Sequence, residues 1–167
     1  MVYRPREDSR LLREAVLDLD LEGKKFLDVG TGTGYIAEAA LSKGADVTAV
    51  DINEEAVREA RNRLPSGVNV MWSDLFADVQ GEFDVAAFNP PYLPKAPGGS
   101  AATVSGFDGA KASRRFLSQC PDHLKDGGAG LLVVSSRNEL ETEDLEVMCT
   151  ADLWFEELKV VRVQDSF

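Results

Sequence analysis

The chain is predicted to be an α/β protein with a mostly parallel, doubly wound sheet. Short β-rich runs alternate with helix-periodic segments almost to the end, which is the order that builds parallel strands with helices on both faces. The first β-rich run closes in a glycine-rich turn that opens a helix, the usual start of such a sheet. The 167 residues, 44% of them apolar, suffice for one domain with a sizeable core and are too few for two.

The elements follow in order. Residues 11–21 place apolar side chains at 11, 12, 15, 16 and 19, one face of a helix, which Glu22-Gly23 ends. Residues 25–29 are a strand that runs into Gly30. A helix over 36–43 stops at Gly44, and 46–50 is the second strand. A helix over 54–64 ends at Pro65-Ser66-Gly67, before strands over 68–72 and 83–88. Residues 89–109, with four prolines and four glycines, form a long irregular loop of the kind that is usually functional or disordered. A helix over 111–124 closes at Asp126-Gly127-Gly128, and a fifth strand covers 131–135. Residues 139–148 read as an acidic amphipathic helix, and 154–163 are β-rich. The expected division is an N-terminal arm and helix over 1–23 and a core over 24–167, with no repeat or linker.

Composition removes several functions. No run of ~18 apolar residues is present to span a bilayer, and the start lacks the apolar stretch of a signal peptide, so a cytoplasmic location is expected. Twenty-nine acids against 18 bases give a net charge of −11, which argues against broad gripping of phosphate backbones. The same acidity also fits a salt-adapted source. Cys120 and Cys149 show no pairing pattern. Cys120 and His123 stand three apart like two metal ligands, but no second pair completes a tetrahedral site, so no metal is expected.

In an open parallel sheet, ligands sit beyond the carboxyl ends of the strands, near the switch point. The turn Asp28-Val29-Gly30-Thr31-Gly32-Thr33-Gly34 lies at such an end. Its spacing is G-x-G-x-G, with Tyr35 where a dinucleotide site would want its third glycine, so it suits a cofactor without a pyrophosphate. Asp51 ends the second strand and can accept from both hydroxyls of a ribose. Turn and acid together indicate a nucleoside cofactor. Asp74, after the third strand, is placed either to accept from an adenine amino group, with Leu75 covering the ring, or to cap a helix.

Asn89-Pro90-Pro91-Tyr92 follows the fourth strand. The lone pair of an amide or exocyclic amine is delocalised, so the nitrogen is a poor nucleophile. Two fixed acceptors, the Asn89 side-chain oxygen and the Pro90 carbonyl, would hold its N–H groups and stabilise charge where it develops during methyl transfer. The prolines stiffen the backbone, and Tyr92 offers a flat face to a planar group.

Gly30 to Gly34, Asp51 and Asn89 to Tyr92 resemble class I methyltransferases of the amino-group type, which have a Rossmann-like fold. Tyr3-Arg4-Pro5-Arg6-Glu7-Asp8-Ser9-Arg10-Leu11-Leu12 is similar to the Y-x-P-x-E-D-[ST]-x-L-L opening of the HemK/PrmC-like protein-glutamine methyltransferases, short archaeal and eukaryotic branch. Gly106-Phe107-Asp108-Gly109 resembles that branch's G-x-D-G segment. The resemblance implies S-adenosylmethionine as cofactor and S-adenosylhomocysteine as product. It implies as substrate the glutamine of the Gly-Gly-Gln tip of a translation release factor, and as partner a small zinc-ribbon activator in a heterodimer. Carried over, Glu7, Asp8 and Ser9 border the cofactor pocket, although they also fit a helix N-terminus. Asp28 and Gly30 face its amino-acid end, Asp51 the ribose, and Asp74 with Leu75 the adenine; Thr31, Gly32, Gly34, Ile52 and Asn89 also border the cofactor. Asn89 and Pro90 orient the substrate amide, with Pro91 and Tyr92 beside it. The family's fold ends in an antiparallel strand pair, for which this C-terminus looks short, so one strand is expected to be brief or missing. The rival readings are an adenine or guanine amino-methyltransferase, a small-molecule methyltransferase, and a cofactor-binding subunit without activity.

Overall fold

A computed structural model describes residues 2–91, 109–138 and 140–164. Helix α1 (Glu7–Leu17) precedes strand β1 (Lys25–Val29), α2 (Tyr35–Ser42), β2 (Asp46–Asp51), α3 (Glu54–Arg63), β3 (Asn69–Trp72) and β4 (Phe83–Phe88). Then come α4 (Gly109–Gln119), a 3-10 turn (Cys120–His123), β5 (Leu124–Ser135), β6 (Glu146–Leu153) and β7 (Glu156–Gln164). The strands form one sheet in the order β3-β2-β1-β4-β5-β7-β6. β1 to β5 pair in parallel, and β7 runs antiparallel between β5 and β6.

The continuous apolar runs of the strands arise because both faces of the sheet are covered. Phe26, Val47, Ala49, Val85, Ala87, Leu131, Val133 and Val160 pack with α1, α2 and α3. Their alternate neighbours Leu27, Val29, Val50, Ala86, Phe88, Leu132, Val134 and Val161 pack with α4 and the turn containing Leu75, Phe76 and Val79. Each strand thus feeds two cores, one residue to each side.

Four expectations need correction. α1 starts at Glu7 rather than 11 and ends at Leu17: Glu7 and Asp8 in its first turn suit the positive end of the helix dipole. The helix expected over 111–124 stops at Gln119, because Pro121 has no N–H for an α-helical bond and sits instead in the 3-10 turn. β5 is twelve residues long, not five, and runs through Gly127-Gly128. The acidic helix expected over 139–148 does not form. Glu139 lies outside the described residues; 140–145 is irregular, and β6 begins at Glu146. Glu139, Glu141, Glu143, Asp144 and Glu146 would repel one another at helical spacing, whereas Val147 and Thr150 favour a strand that β7 can pair. The C-terminal strand pair is therefore complete, with β6 of eight residues and β7 of nine.

Candidate active site

Sheet register brings the singled-out segments to one edge. Val29 is level with both Phe88 and Val50. The glycine turn, the loop at Asn89 and Asp51 therefore leave neighbouring strands at the same height. Asp51 is level with Trp72, which sets Asp74 two residues farther on. The strand order reverses between β1 and β4, so these ends border the switch point. A cleft there is lined by Asp28, Gly30, Thr31, Gly32, Asp51, Ile52, Asp74, Leu75, Asn89 and Pro91, and by Val2, Tyr3 and Ser9 of the N-terminal arm.

Gly30, Gly32 and Gly34 all have left-handed φ, of 66°, 56° and 84°. At Gly30 a Cβ would also stand 3.1 Å from the Phe88 ring. Gly34 does not line the cleft: it is the N-cap of α2 and backs onto Leu64, which a Cβ would meet at 3.1 Å. Asp28 is 2% exposed, and its Oδ2 accepts from the Thr31 hydroxyl at 2.7 Å and the Ala37 amide at 3.1 Å. Burial pushes its carboxyl up to about 7, against the pull of those two hydrogen bonds. Asp51 accepts from the Gly32 amide through Oδ2 and the Asn53 amide through Oδ1, both at 2.9 Å. Burial raises its pKa while these bonds lower it. The Ile52 amide also lowers it, and the carboxylate keeps acceptor capacity beyond these three backbone donors.

Asp74 is not a helix cap. Both of its oxygens accept from Arg115 of α4, at 2.9 and 3.1 Å, a bidentate pair across the cleft. Beside it Leu75 holds a left-handed φ of 50°. The Ser73 hydroxyl donates to the Leu75 carbonyl at 2.8 Å and accepts from the Asp78 amide at 3.1 Å, which pins this strained turn. Arg115 and Ser73 line the cleft and were not singled out from sequence. Arg115 lies 41 residues from Asp74 on a helix with several exposed cations, so no local signal marks it.

At Asn89 the Nδ2 donates to the Ser9 hydroxyl at 3.2 Å, and Oδ1 is buried without a hydrogen-bond partner among the described residues. The Ser9 amide donates to Asp8 at 2.8 Å, and the Tyr3 hydroxyl spans both Asp8 oxygens at 3.0 and 2.9 Å. Asp8 is buried behind the cleft wall rather than lining it. Glu7 is exposed, 3.8 Å from Arg10, and away from the cleft. Pro90 is buried and is not part of the lining. Tyr92 and Gly106-Phe107-Asp108 lie outside the described residues. Cys120 is buried, with its thiol pushed up to about 12 by burial, and His123 stacks on Phe76 at 4.6 Å. Among the described residues no group of three or more His, Cys, Asp or Glu is placed to hold a metal ion.

Comparison with known proteins gives this edge a family. The methyltransferase small domain model matches residues 7–164. A Methanocaldococcus jannaschii protein provisionally named protein N5-glutamine methyltransferase is 38% identical over 96% of this chain and 90% of its own length. The release factor glutamine methyltransferase of Deinococcus radiodurans is 37% identical over 83% of this chain; the chain spans only 55% of that relative. Among solved structures, E. cuniculi Mtq2 superposes with a TM-score of 0.74 at 28% identity over 99% of each chain. It was solved in complex with Trm112, and the complex methylates the translation termination factor eRF1. The T. thermophilus 16S rRNA N2 G1207 methyltransferase, solved with AdoMet and guanosine, superposes with a TM-score of 0.73 over 98% of this chain and 44% of its own. At 22% identity that likeness is of fold alone. The chain belongs to the methyltransferase small domain family and, within it, to the protein N5-glutamine methyltransferases.

Proposed function

We propose that the chain methylates the side-chain amide nitrogen of a protein glutamine, in the Gly-Gly-Gln tip of a translation release factor, with S-adenosylmethionine as donor. The observation that carries this reading is Asn89. Its carboxamide sits at the end of β4 beside the cleft, with the NH2 bonded to Ser9 and the oxygen buried and, among the described residues, unpartnered. A buried acceptor of that kind is costly unless a ligand N–H meets it.

The cleft suits the donor on three counts. Asp28 is a buried carboxyl whose ionisation burial opposes, so it gains from an ammonium such as that of the methionine end. Asp51, at the end of β2, keeps acceptor capacity toward the cleft for a ribose hydroxyl. Asp74, held by Arg115, and the apolar Leu75 line the cleft beyond the end of β3, a carboxylate and an apolar face that suit an adenine. S-adenosylmethionine supplies a methyl group already activated on a sulfonium and leaves as S-adenosylhomocysteine. Asn89 Oδ1 and the Pro90 carbonyl accept the two amide N–H groups, turn the nitrogen lone pair toward the methyl, and stabilise the positive charge as it develops. Pro91 and Tyr92 flank the planar group. The amide loses one proton, and no covalent enzyme intermediate is needed.

The relatives' names support the substrate, and the Mtq2–Trm112 complex supports a small partner subunit, which we take to be a zinc-ribbon activator. Among the described residues no helix is long and apolar enough to cross a membrane, and action on a translation factor would be cytoplasmic.

The test is transfer of labelled methyl to a Gly-Gly-Gln release factor by this chain with its co-purified partner. Labelling should vanish when the tip glutamine becomes alanine; unchanged labelling would rule out the glutamine, and labelling of RNA or DNA instead would favour a base substrate. Asn89→Ala should reduce kcat by about 100-fold or more with cofactor affinity kept. An equal loss of affinity would make Asn89 a structural residue.

A further inference from the structure

The Asn89 carboxamide can face two ways, and only one of them presents an acceptor to the substrate amide. Its NH2 and its oxygen have nearly the same shape, so packing alone does not choose between them. The choice must come from hydrogen-bond polarity. The neighbour of Asn89 Nδ2 is the Ser9 hydroxyl, which can either donate or accept. A serine therefore settles nothing until its own proton is committed.

The N-terminal arm commits it. Asp8 is 7% exposed, and a carboxylate offers acceptors only. Its Oδ1 takes the Ser9 amide at 2.8 Å, and the Ser9 hydroxyl reaches the same oxygen at a long 3.5 Å. Asp8 Oδ1 is the acceptor that the Ser9 hydroxyl meets among the described residues. With that proton turned toward Asp8, the Ser9 oxygen shows lone pairs to Asn89 and demands a donor. Tyr3 holds Asp8 in place from the other side, its hydroxyl donating to both oxygens. The arm that carries Tyr3 is itself tied down: Val2 is buried against the cleft, and Arg4 meets Glu59 of α3 at 2.6 Å.

We propose that Tyr3, Asp8 and Ser9 form a one-directional hydrogen-bond chain that sets the orientation of the Asn89 carboxamide, NH2 toward Ser9 and oxygen toward the acceptor nitrogen. These three are positioning residues for Asn89, eighty residues away in the chain for Ser9. The N-terminal arm is then part of the catalytic apparatus and not only a wall of the cofactor cleft. The orientation stands on the structure; its effect on rate rests on the methyl-transfer reading above.

Asp8→Ala is the decisive variant, because Asp8 does not line the cleft and alanine leaves the Ser9 hydroxyl without its acceptor. The proton can then turn toward Asn89 and reverse the chain, whereas Asp8→Asn, whose side-chain oxygen the Ser9 amide would hold at the Oδ1 position, should keep most of kcat. Full-length Asp8→Ala with its partner subunit should lose about tenfold to a hundredfold in kcat, while KM for the release factor and cofactor Kd stay near native. Ser9→Thr should retain most of kcat and Ser9→Ala should not, since only the former keeps the hydroxyl. A second readout needs no methyl acceptor. The Asn89 side-chain amide pair, identified by its loss from the nitrogen-15 NMR spectrum of Asn89→Asp, should shift and exchange faster with water in Asp8→Ala. Native kcat in Asp8→Ala, equal rates for Ser9→Thr and Ser9→Ala, or unmoved Asn89 resonances in Asp8→Ala would each overturn the proposal. Moved resonances in a protein that labels no glutamine would leave the chain standing and count against the proposed substrate.

Discussion

Asp28 is a carboxyl that the fold buries almost completely, beneath the turn that faces the cofactor cleft. Its folded pKa of about 7 lies above the ~4 of an unfolded aspartate, so the folded state holds the proton more tightly. Its contribution to stability is full below ~pH 4 and is lost as pH rises through 7. Thermal melts of the free protein should therefore show lower stability at pH 7.5 than at pH 5 from this group, and Asp28→Asn should flatten that slope. Arg115 gives a contrasting case. Its pair with Asp74 is more than a third exposed on both sides, so Arg115→Ala should cost at most about 1 kcal/mol of stability. Cofactor affinity should fall several-fold by titration calorimetry, because Asp74 then swings free of the adenine site; an unchanged affinity would place the pair outside the binding determinants. At this scale legibility follows sequence distance. Asp51 and Asn89 were readable because the one ends and the other directly follows a recognisable strand. Arg115 and the partnership of Tyr3 and Asp8 with Asn89 were not, since nothing local says which surface cation or hydroxyl will meet which carboxylate.

Among the elements, the glycine turn carries a backbone constraint that a side chain would break. Gly30 combines a φ of 66° with a Cβ position 3.1 Å from the Phe88 ring. Gly30→Ala should cost about 1–2 kcal/mol from the left-handed backbone alone, measurable by urea titration, and should weaken cofactor binding as the turn shifts. The C-terminal strand pair behaves differently. β7 sits inside the sheet between β5 and β6, and Val160 and Val161 are fully buried on its two faces. A chain ended after Leu153 would strip both cores of a strand and expose the edge of β5. It should show no cooperative thermal transition by circular dichroism. β6 itself was hidden in the sequence, where the acidic stretch 139–148 read as a helix, whereas its Leu140 and Leu145 in fact pack from an irregular segment on the α4 side. Pairing with β7 overrode local pattern, as sheet partners can when the competing helix is crowded with like charges.

Over the whole molecule the net charge of −11 is a standing repulsion that folding concentrates. Raising salt from about 0.05 to about 1 M should raise the melting temperature by screening it, whereas the Asp74–Arg115 pair should weaken slightly over the same range. A flat or falling melting temperature would show that the charges are already balanced by local pairing. What the sequence by itself determined is the order of strands and helices through β5, the α/β class, and the chemical character of the strand ends: a glycine turn, an acid after β2, and an asparagine braced by prolines after β4. These are local, because periodicity, turn chemistry and strand termination act over a few residues. Only the tertiary structure decided how the strand ends line up, Val29 level with Phe88 and Val50, how the chain closes with a complete antiparallel pair, and how the N-terminal arm comes back to grip Asn89. Those are contacts between residues tens of positions apart, set by which faces must be buried together, and no short stretch of sequence contains them.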